Sequence, residues 1–491
     1  MTDTKIHKQV FWFNVISYLG VVIGVVSTVF IYPYNKEFLG IVRYTDSLAQ
    51  LLFPILLFGG GQALVHFYPT LKNQNKPALF KYSILSILVL SFGVFGVLLI
   101  GNFFSEWNHY YYLFYAFPIA FVLAFVELFK RQSIHINKIE VPTFYEKIIP
   151  KLALPAIFML LIYGYLNIHN ALLAFIVSYF ILFLLLLFYI LKHFKLKWDF
   201  NMKSLFSEVN RKEYYKYSFF GFLGSFGSII AFRIDAFMIP EFLTFEANGT
   251  FAIGMALATS LAIPATGVFA IYAPKISAYL KNDEIDELGL KYKETAKLLF
   301  FIGAILYTAV VLGIDSLFQM LPAYDKLVDS IPIIFLLGAN VFLNMSTGFN
   351  NEIISYSKYF RFNIIFVLLL AVLNIFLNIF FLTQTDLGII GVAYASLIAM
   401  VTFNCIKLIF VYRKFRILPF DKNYLKVVAV VSMVFFTFYM LPIHSNPLLN
   451  LILKSGFNTL IIVFVTYKLK AIYSLNYWIA KLYKFLEDKN V

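Results

Sequence analysis

The sequence predicts an all-α integral membrane protein of about 14 transmembrane helices, with two pseudo-symmetric six-helix lobes plus two C-terminal helices. Three observations carry this: the composition, the spacing of the apolar runs and an internal repeat. Of 491 residues, 61% are hydrophobic, 19% aromatic and only 13% charged, and mean hydropathy is +0.80. A soluble chain is about 25% charged, so this one has too few polar groups to cover a water-facing surface. That excludes a soluble enzyme, a disordered chain and a disulfide scaffold. The single cysteine, Cys405, leaves no intramolecular disulfide and no thiolate pair for a metal.

A helix needs about 20 apolar residues to cross the hydrocarbon. Such runs fall at 10–32, 46–68, 80–101, 110–129, 148–167, 170–191, 216–239, 247–273, 296–314, 331–349, 362–382, 387–411, 425–442 and 448–467. The first follows Lys5 and Lys8 and ends at Tyr32-Pro33 with no small-residue cleavage pattern, so it reads as a retained span. The fifth and sixth are divided by only Ile168 and His169, which demands a tight hairpin. Outer connections are short, the longest running from about Ile314 to Ser330. The resulting divisions are 1–191 for the first lobe, 192–215 for an amphipathic connector, 216–411 for the second lobe, 412–470 for the extra helices and 471–491 for a tail.

Basic residues set the orientation. All 40 Lys and Arg fall on the side holding the N-terminus, except Lys36, Arg43, Lys326, Lys454 and the intramembrane Arg233. The 26 acidic residues are far less lopsided. Excess Lys and Arg mark the cytoplasmic face, so both termini are expected in the cytoplasm, with the chain in the cytoplasmic (inner) membrane. The net charge of +14 is thereby assigned to the membrane surface and not to nucleic acid. The connector interleaves Lys192, Lys195, Lys197, Lys203, Arg211 and Lys212 with Phe194, Trp198, Phe200, Leu205 and Phe206. The tail sets Ile472, Leu475, Trp478, Ile479 and Leu482 against Lys481 and Lys484. Both read as interfacial segments against lipid headgroups.

Val10–Pro33 aligns with Tyr217–Pro240: Phe13 with Phe220, Gly20 with Gly227, Phe30 with Phe237, Pro33 with Pro240. The match continues through Gly40 and Gly249 to the mid-span prolines Pro54 and Pro264. Six spans separate the copies, so the repeat is parallel. Such repeats are a signature of secondary transporters, whose substrate path lies between the halves. Pro54 with Gly59, Gly60 and Gly61, and Pro264 with Gly267, mark hinge candidates where each second span should bend or unwind.

Arg233 and Asp235 are the intramembrane charges. Each would cost about 2.5–3.5 kcal/mol at a span centre, so functional roles are expected. Asp235 sits over the small-residue stripe Gly221, Gly224, Ser225 and Ser228 and should face protein; Arg233 points elsewhere, as a cavity-facing cation or as one half of a structural pair with another helix. Asp235 is the ion-coupling candidate. Arg43 in the outer loop and His66 near the inner end of the second span are further substrate-site candidates. Glu352, beyond Asn350-Asn351, is expected to be solvated. Asn14, Asn340, Asn344, Asn374 and Asn378 suit bonds between helices. Asn248-Gly249-Thr250 matches a glycosylation triplet. The sequence has no Walker phosphate loop, metal-ligand spacing or nucleophile elbow; no cofactor, metal or catalytic residue is expected.

Three stretches carry a family resemblance: Tyr32–Pro69, with Phe38-Leu39-Gly40, Phe58-Gly59-Gly60-Gly61 and Ala63-Leu64-Val65; Arg233–Pro264; and Leu387–Leu397, LGIIGVAYASL. The pattern resembles the polysaccharide-transport (O-antigen-type, lipid-linked oligosaccharide) flippases of the multidrug/oligosaccharidyl-lipid/polysaccharide exporter superfamily. The resemblance implies two six-helix bundles forming a V around a cationic cavity. It also implies translocation of undecaprenyl-pyrophosphate-linked oligosaccharide for surface polysaccharide or lipopolysaccharide assembly, with membrane lipids and a polymerase of the pathway as partners. Arg233 and Asp235 match the family's Arg-x-Asp, whereas His66 stands where relatives often carry arginine. The alternatives are a drug/cation antiporter of the same superfamily and a membrane-embedded polymerase or glycosyltransferase.

Overall fold

The computed structural model describes residues 19–135, 140–194, 202–442 and 444–489. Lys5, Lys8, Phe13, Asn14, Lys195, Lys197, Trp198 and Phe200 lie outside them. Every regular element among the described residues is helical. In chain order these are α1 (Leu19–Phe30), α2 (Lys36–Leu57), α3 (Gly60–Phe67), α4 (Lys76–Phe104), α5 (Tyr112–His135), α6 (Glu140–Ile162), α7 (Ile168–His193), α8 (Met202–Glu208), α9 (Arg211–Phe242) and α10 (Phe245–Ser260). Then come α11 (Ile263–Lys281), α12 (Ile285–Gln319), α13 (Tyr324–Leu327), α14 (Ile331–Ser346), α15 (Asn350–Tyr356), α16 (Phe360–Gln384), α17 (Gly388–Phe415), α18 (Lys422–Tyr439), α19 (Pro447–Asn450), α20 (Phe457–Lys468) and α21 (Tyr473–Lys489). Among the described residues, nine helices are long and apolar enough to cross a membrane, or eleven when the bent pairs α1–α2 and α10–α11 each count as one. Two more helices, α6 and α18, occupy expected span positions without meeting that test. The chain divides into two compact units, Met1–Ala252 and Ile253–Val491.

Several boundaries differ from the sequence expectation. No outer loop precedes the second span: a short 3-10 turn, Tyr32–Asn35, leads straight into α2. Asn35 accepts the Phe38 amide at 2.9 Å and Glu37 lies in the first turn, so capping and helix dipole start the helix ten residues early. Arg43 is consequently a helical residue. The hairpin before α7 is real but falls at 163–167, with Gly164 at φ +78° and Asn167 accepting the Asn170 amide at 2.7 Å. In the connector, Leu205 is fully buried and Ser204 is bonded to Asn75, so α8 packs on protein instead of lying free in the interface. The start of the tail is also docked, with Ile472 in the core formed by α12, α18 and α20, while Tyr473 and Trp478 are exposed.

In the first unit, α2 packs along α5 and α9. The repeat-related Gly40 and Gly249 meet there: a Cβ on Gly40 would collide with the Phe245 carbonyl, and one on Gly249 with the Lys36 carbonyl. Each carbonyl lies one helical turn before the other glycine, so the crossing of α2 and α10 is symmetric. Asn248 seals it, donating to the carbonyls of Gly40 (2.9 Å) and Ala236 (3.2 Å). Fully buried, Asn248 is not available as a glycosylation acceptor. Nearby, Glu241 accepts from Tyr44 and, at 2.7 Å, from Trp107 Nε1, and its Oε1 lies 3.3 Å from His109 Nδ1.

In the second unit the last spans are fastened to α12 by polar groups. Asn458 donates to Thr308 Oγ1, Asn450 to Ser316 Oγ and Ser455 to the Ala309 carbonyl, each at 3.0 Å. A π-helical turn at Leu451–Gly456 brings Ser455 and Leu451 onto Gly313. Such bonds suit helix association where lipid removes the hydrophobic drive.

Replacing Gly249 with Leu should cost at least about 1–3 kcal/mol by overpacking, seen as a lower thermal unfolding midpoint in detergent. The same change at Gly93, which has open space around it, should leave the midpoint close to that of the wild type.

Candidate functional site

The repeat glycines fix which face of α2 meets α9. Arg43, Asp46 and Gln50 follow one another at spacings of three and four, so they share a stripe along α2. Asp46 Oδ2 accepts from Gln50 Nε2 at 2.9 Å and lies 3.8 Å from Arg233 Nη1 on α9. Among the described residues that single long contact leaves most of the guanidinium donors unused, and the Arg233 side chain is 46% accessible. Asp235, on the same helix, is 3% exposed.

A second helix completes the group. Lys147 and Lys151 occupy one face of α6, four residues apart, and Lys151 and Arg43 lie close enough to act on one another electrostatically. Gly20 of α1 makes room for the lysine: a Cβ there would sit 3.2 Å from Lys151 Nζ. Tyr179 of α7, 8% exposed, lies within electrostatic reach of Arg43, Asp46, Arg233 and Glu146. One border is a closed network. Lys130 contacts Glu127 and Glu146 at 3.0 Å each, and Arg131 contacts Glu127 at 2.7 Å. Among the described residues, neither Arg43 nor Lys151 forms an ion pair. Two cations facing each other in a lobe interior repel unless an anion sits between them, and guanidinium and ammonium donors suit phosphate oxygens.

The other sequence candidates lie elsewhere. His66, exposed on α3, stacks on Tyr217 of α9, with ring centroids 4.2 Å apart. Pro54 lies inside α2, and the helix stops at Leu57, where Phe58 (φ +43°) and Gly59 (φ +70°) turn the chain into α3. Gly59 is obligatory, since a Cβ there would strike the Ser218 carbonyl; Gly60 and Gly61 face only ordinary contacts or none. Gln62, beyond the break, donates to Ser225 of α9 at 2.8 Å. Pro264 opens α11 directly after a 50° bend from α10, and Gly267 lies in the first turns of α11. Glu352, expected in water, has Oε2 sealed with no hydrogen-bond partner.

Sequence reasoning missed Asp46, Lys147 and Lys151. The lysines pass for flanking charges of the fifth span, and Asp46 for the solvated start of the second. Their spacing of four, which places both lysines on one helical face inside an apolar run, was the available signal.

A many-spanning helical membrane protein with a cation-rich cluster in its first unit is the class these features define. Solved structures of the same fold are transporters. An inward closed conformation of the lipid II flippase MurJ superposes with a TM-score of 0.70, at 14% identity, covering 93% of this chain and 98% of that one. An inward-facing multidrug resistance MATE family transporter of the MOP superfamily gives 0.58 at 14% identity, covering 82% and 94%. An outward-facing MATE family transporter gives 0.53 at 12% identity, covering 83% and 96%. No protein-family model and no curated sequence matches the chain.

The half-exposed Arg233–Asp46 contact is worth at most about 1 kcal/mol, so Asp46→Asn should barely move the unfolding midpoint. Lys130→Met strips two carboxylates of their shared cation and should cost about 2 kcal/mol or more. Thermal melting of the two variants in the same detergent checks the order.

Proposed function

We propose that the protein is a flippase that carries a lipid-linked anionic headgroup, undecaprenyl-pyrophosphate-linked oligosaccharide, across the cytoplasmic membrane by alternating access. The cations Arg43 and Lys151, close enough to act on one another and without an ion pair among the described residues, are the observation that carries this reading. With Arg233 they offer charge and directional donors to the two phosphates. A pyrophosphate can replace water at such donors without leaving its charge unpaired. Asp46 and Gln50 hold Arg233 loosely enough for it to turn toward the substrate. The sugar needs polar space and the isoprenoid tail can stay in lipid. Surface polysaccharide assembly is the proposed setting, with a polymerase of that pathway downstream and both termini cytoplasmic. Asp235 serves the fold of α9 in this reading more readily than ion coupling, because it is buried.

The break at Phe58-Gly59 and the bend before Pro264 are the proposed hinges. Each joins helical segments at a point where the backbone is already off helical geometry, so reorientation there breaks few additional hydrogen bonds. A cation/drug antiporter would need acidic groups in excess, and this cluster sets Arg43, Lys130, Arg131, Lys147, Lys151 and Arg233 against Asp46, Glu127 and Glu146.

Arg43→Gln, Lys151→Gln and Arg233→Gln should each weaken binding of undecaprenyl pyrophosphate to the detergent-solubilised protein by about tenfold or more, the scale of a charge-assisted hydrogen bond. Each should also abolish or strongly reduce surface polysaccharide at unchanged protein levels. Wild-type binding by all three variants would remove the cluster from the mechanism.

A further inference from the structure

The second unit holds a cluster of titratable groups that the reading above does not use. Lys407 of α17 is 2% exposed and so lies in the unit interior. Its Nζ lies 4.0 Å over the Phe403 ring, one turn away. Asn404 accepts from Thr347 Oγ1 (3.3 Å) and donates to the Met400 carbonyl (3.2 Å). The charge that acts on Lys407 is Glu352 of α15, and the two do so without a direct ion pair.

Glu352 follows a backbone break at Thr347–Phe349, where Gly348 takes φ +65°. Its Oε2 is sealed from solvent and lacks a hydrogen-bond partner, as do the buried Asn350 Nδ2 and the Tyr292 hydroxyl of α12. Burial lifts the Glu352 carboxyl above the ordinary carboxylate range, and the Lys407 ammonium opposes part of that lift. Other charged or titratable groups on the helices packed against α15 include Tyr272, Lys275, Tyr279 and Lys281 of α11, Arg361 of α16 and Tyr412, Arg413 and Lys414 of α17. Tyr424 of α18 is engaged with the Ser346 carbonyl at 3.0 Å. The nearby Lys297–Asp421 pair closes on itself at 2.7 Å.

An orphaned carboxylate oxygen asks for a hydrogen. A hard metal cation would ask for several oxygen ligands and would be repelled by Lys407. We propose that Glu352 and Lys407 form a proton-binding site in the second unit, loaded and emptied once per transport cycle. The coupling rests on the flippase reading; the proton site does not. Loading adds a proton to Oε2: one O–H bond forms on the carboxyl as one O–H bond of a hydronium ion breaks. Glu352 passes from carboxylate to neutral carboxyl, and release reverses the step.

Infrared difference spectra of the full-length protein in lipid vesicles, taken across a pH series, test the site directly. A protonated-carboxyl band should appear on acidification, vanish in Glu352→Gln and return in Glu352→Asp. In Lys407→Gln the band should appear at a proton concentration about tenfold lower, because the ammonium that favours the carboxylate is gone. A spectrum unchanged in Glu352→Gln, or a midpoint unmoved in Lys407→Gln, overturns the proposal. The same vesicles carrying a fluorescent undecaprenyl-pyrophosphate sugar test the coupling. Wild-type flipping should accelerate about fivefold in a pH gradient, and Glu352→Gln should ignore it. Flipping by the wild type that ignores the gradient overturns the coupling. Absence of flipping overturns the flippase reading, while the spectra still decide the proton site.

Discussion

Backbone contact between α2 and α10 at Gly40 and Gly249 governs the interior of the first unit. No side chain separates the helices there, so their spacing and rotation are fixed by main-chain atoms, which cannot repack. The rotation presents the Arg43–Asp46–Gln50 stripe to α9 and aligns Tyr44 with Glu241. A bulkier residue at either glycine would push the helices apart and turn that stripe away from Arg233. Repetition in the sequence thus has a direct structural expression: the two copies supply one glycine each to a single symmetric crossing.

Charge in a hydrocarbon setting sorts into two kinds. Lys130, Arg131, Glu127 and Glu146 neutralise each other at contact distance, and such networks hold helices together. Arg43 and Lys151 act on one another but form no ion pair among the described residues, and Arg233 is only loosely tied to Asp46. The desolvation of these cations is tolerable when an anion is the intended occupant, because its charge then replaces the water they lost. In the second unit the imbalance is smaller, a lysine and a glutamate in reach of each other but not paired.

Broken helices appear wherever the backbone needs an exit from helical geometry. At Phe58-Gly59 and at Thr347–Phe349 a left-handed glycine carries the turn, while at Leu261-Ala262 the following proline starts the next segment. Each break ends a helix in the protein interior, where the freed carbonyls and amides find protein partners instead of lipid. Glu352 and Gln62 both lie just beyond such breaks, which explains how polar side chains reach interior positions that a continuous helix would have turned away.

By itself the sequence determined the helical class and that the chain crosses the membrane many times, because hydrocarbon thickness and apolar run length are one-dimensional constraints. It also exposed Arg233 and Asp235, since charge inside an apolar run is costly wherever the helix ends up. Tertiary structure decided what those charges meet. Asp46, Lys147 and Lys151 are separated from Arg233 along the chain by whole helices, so neither periodicity nor spacing could pair them. It decided also that Arg43 is helical, through the Asn35 cap, that His66 stacks on Tyr217, and that one carboxylate oxygen of Glu352 is sealed. Burial is a property of neighbouring helices, and the sequence of one helix does not contain it.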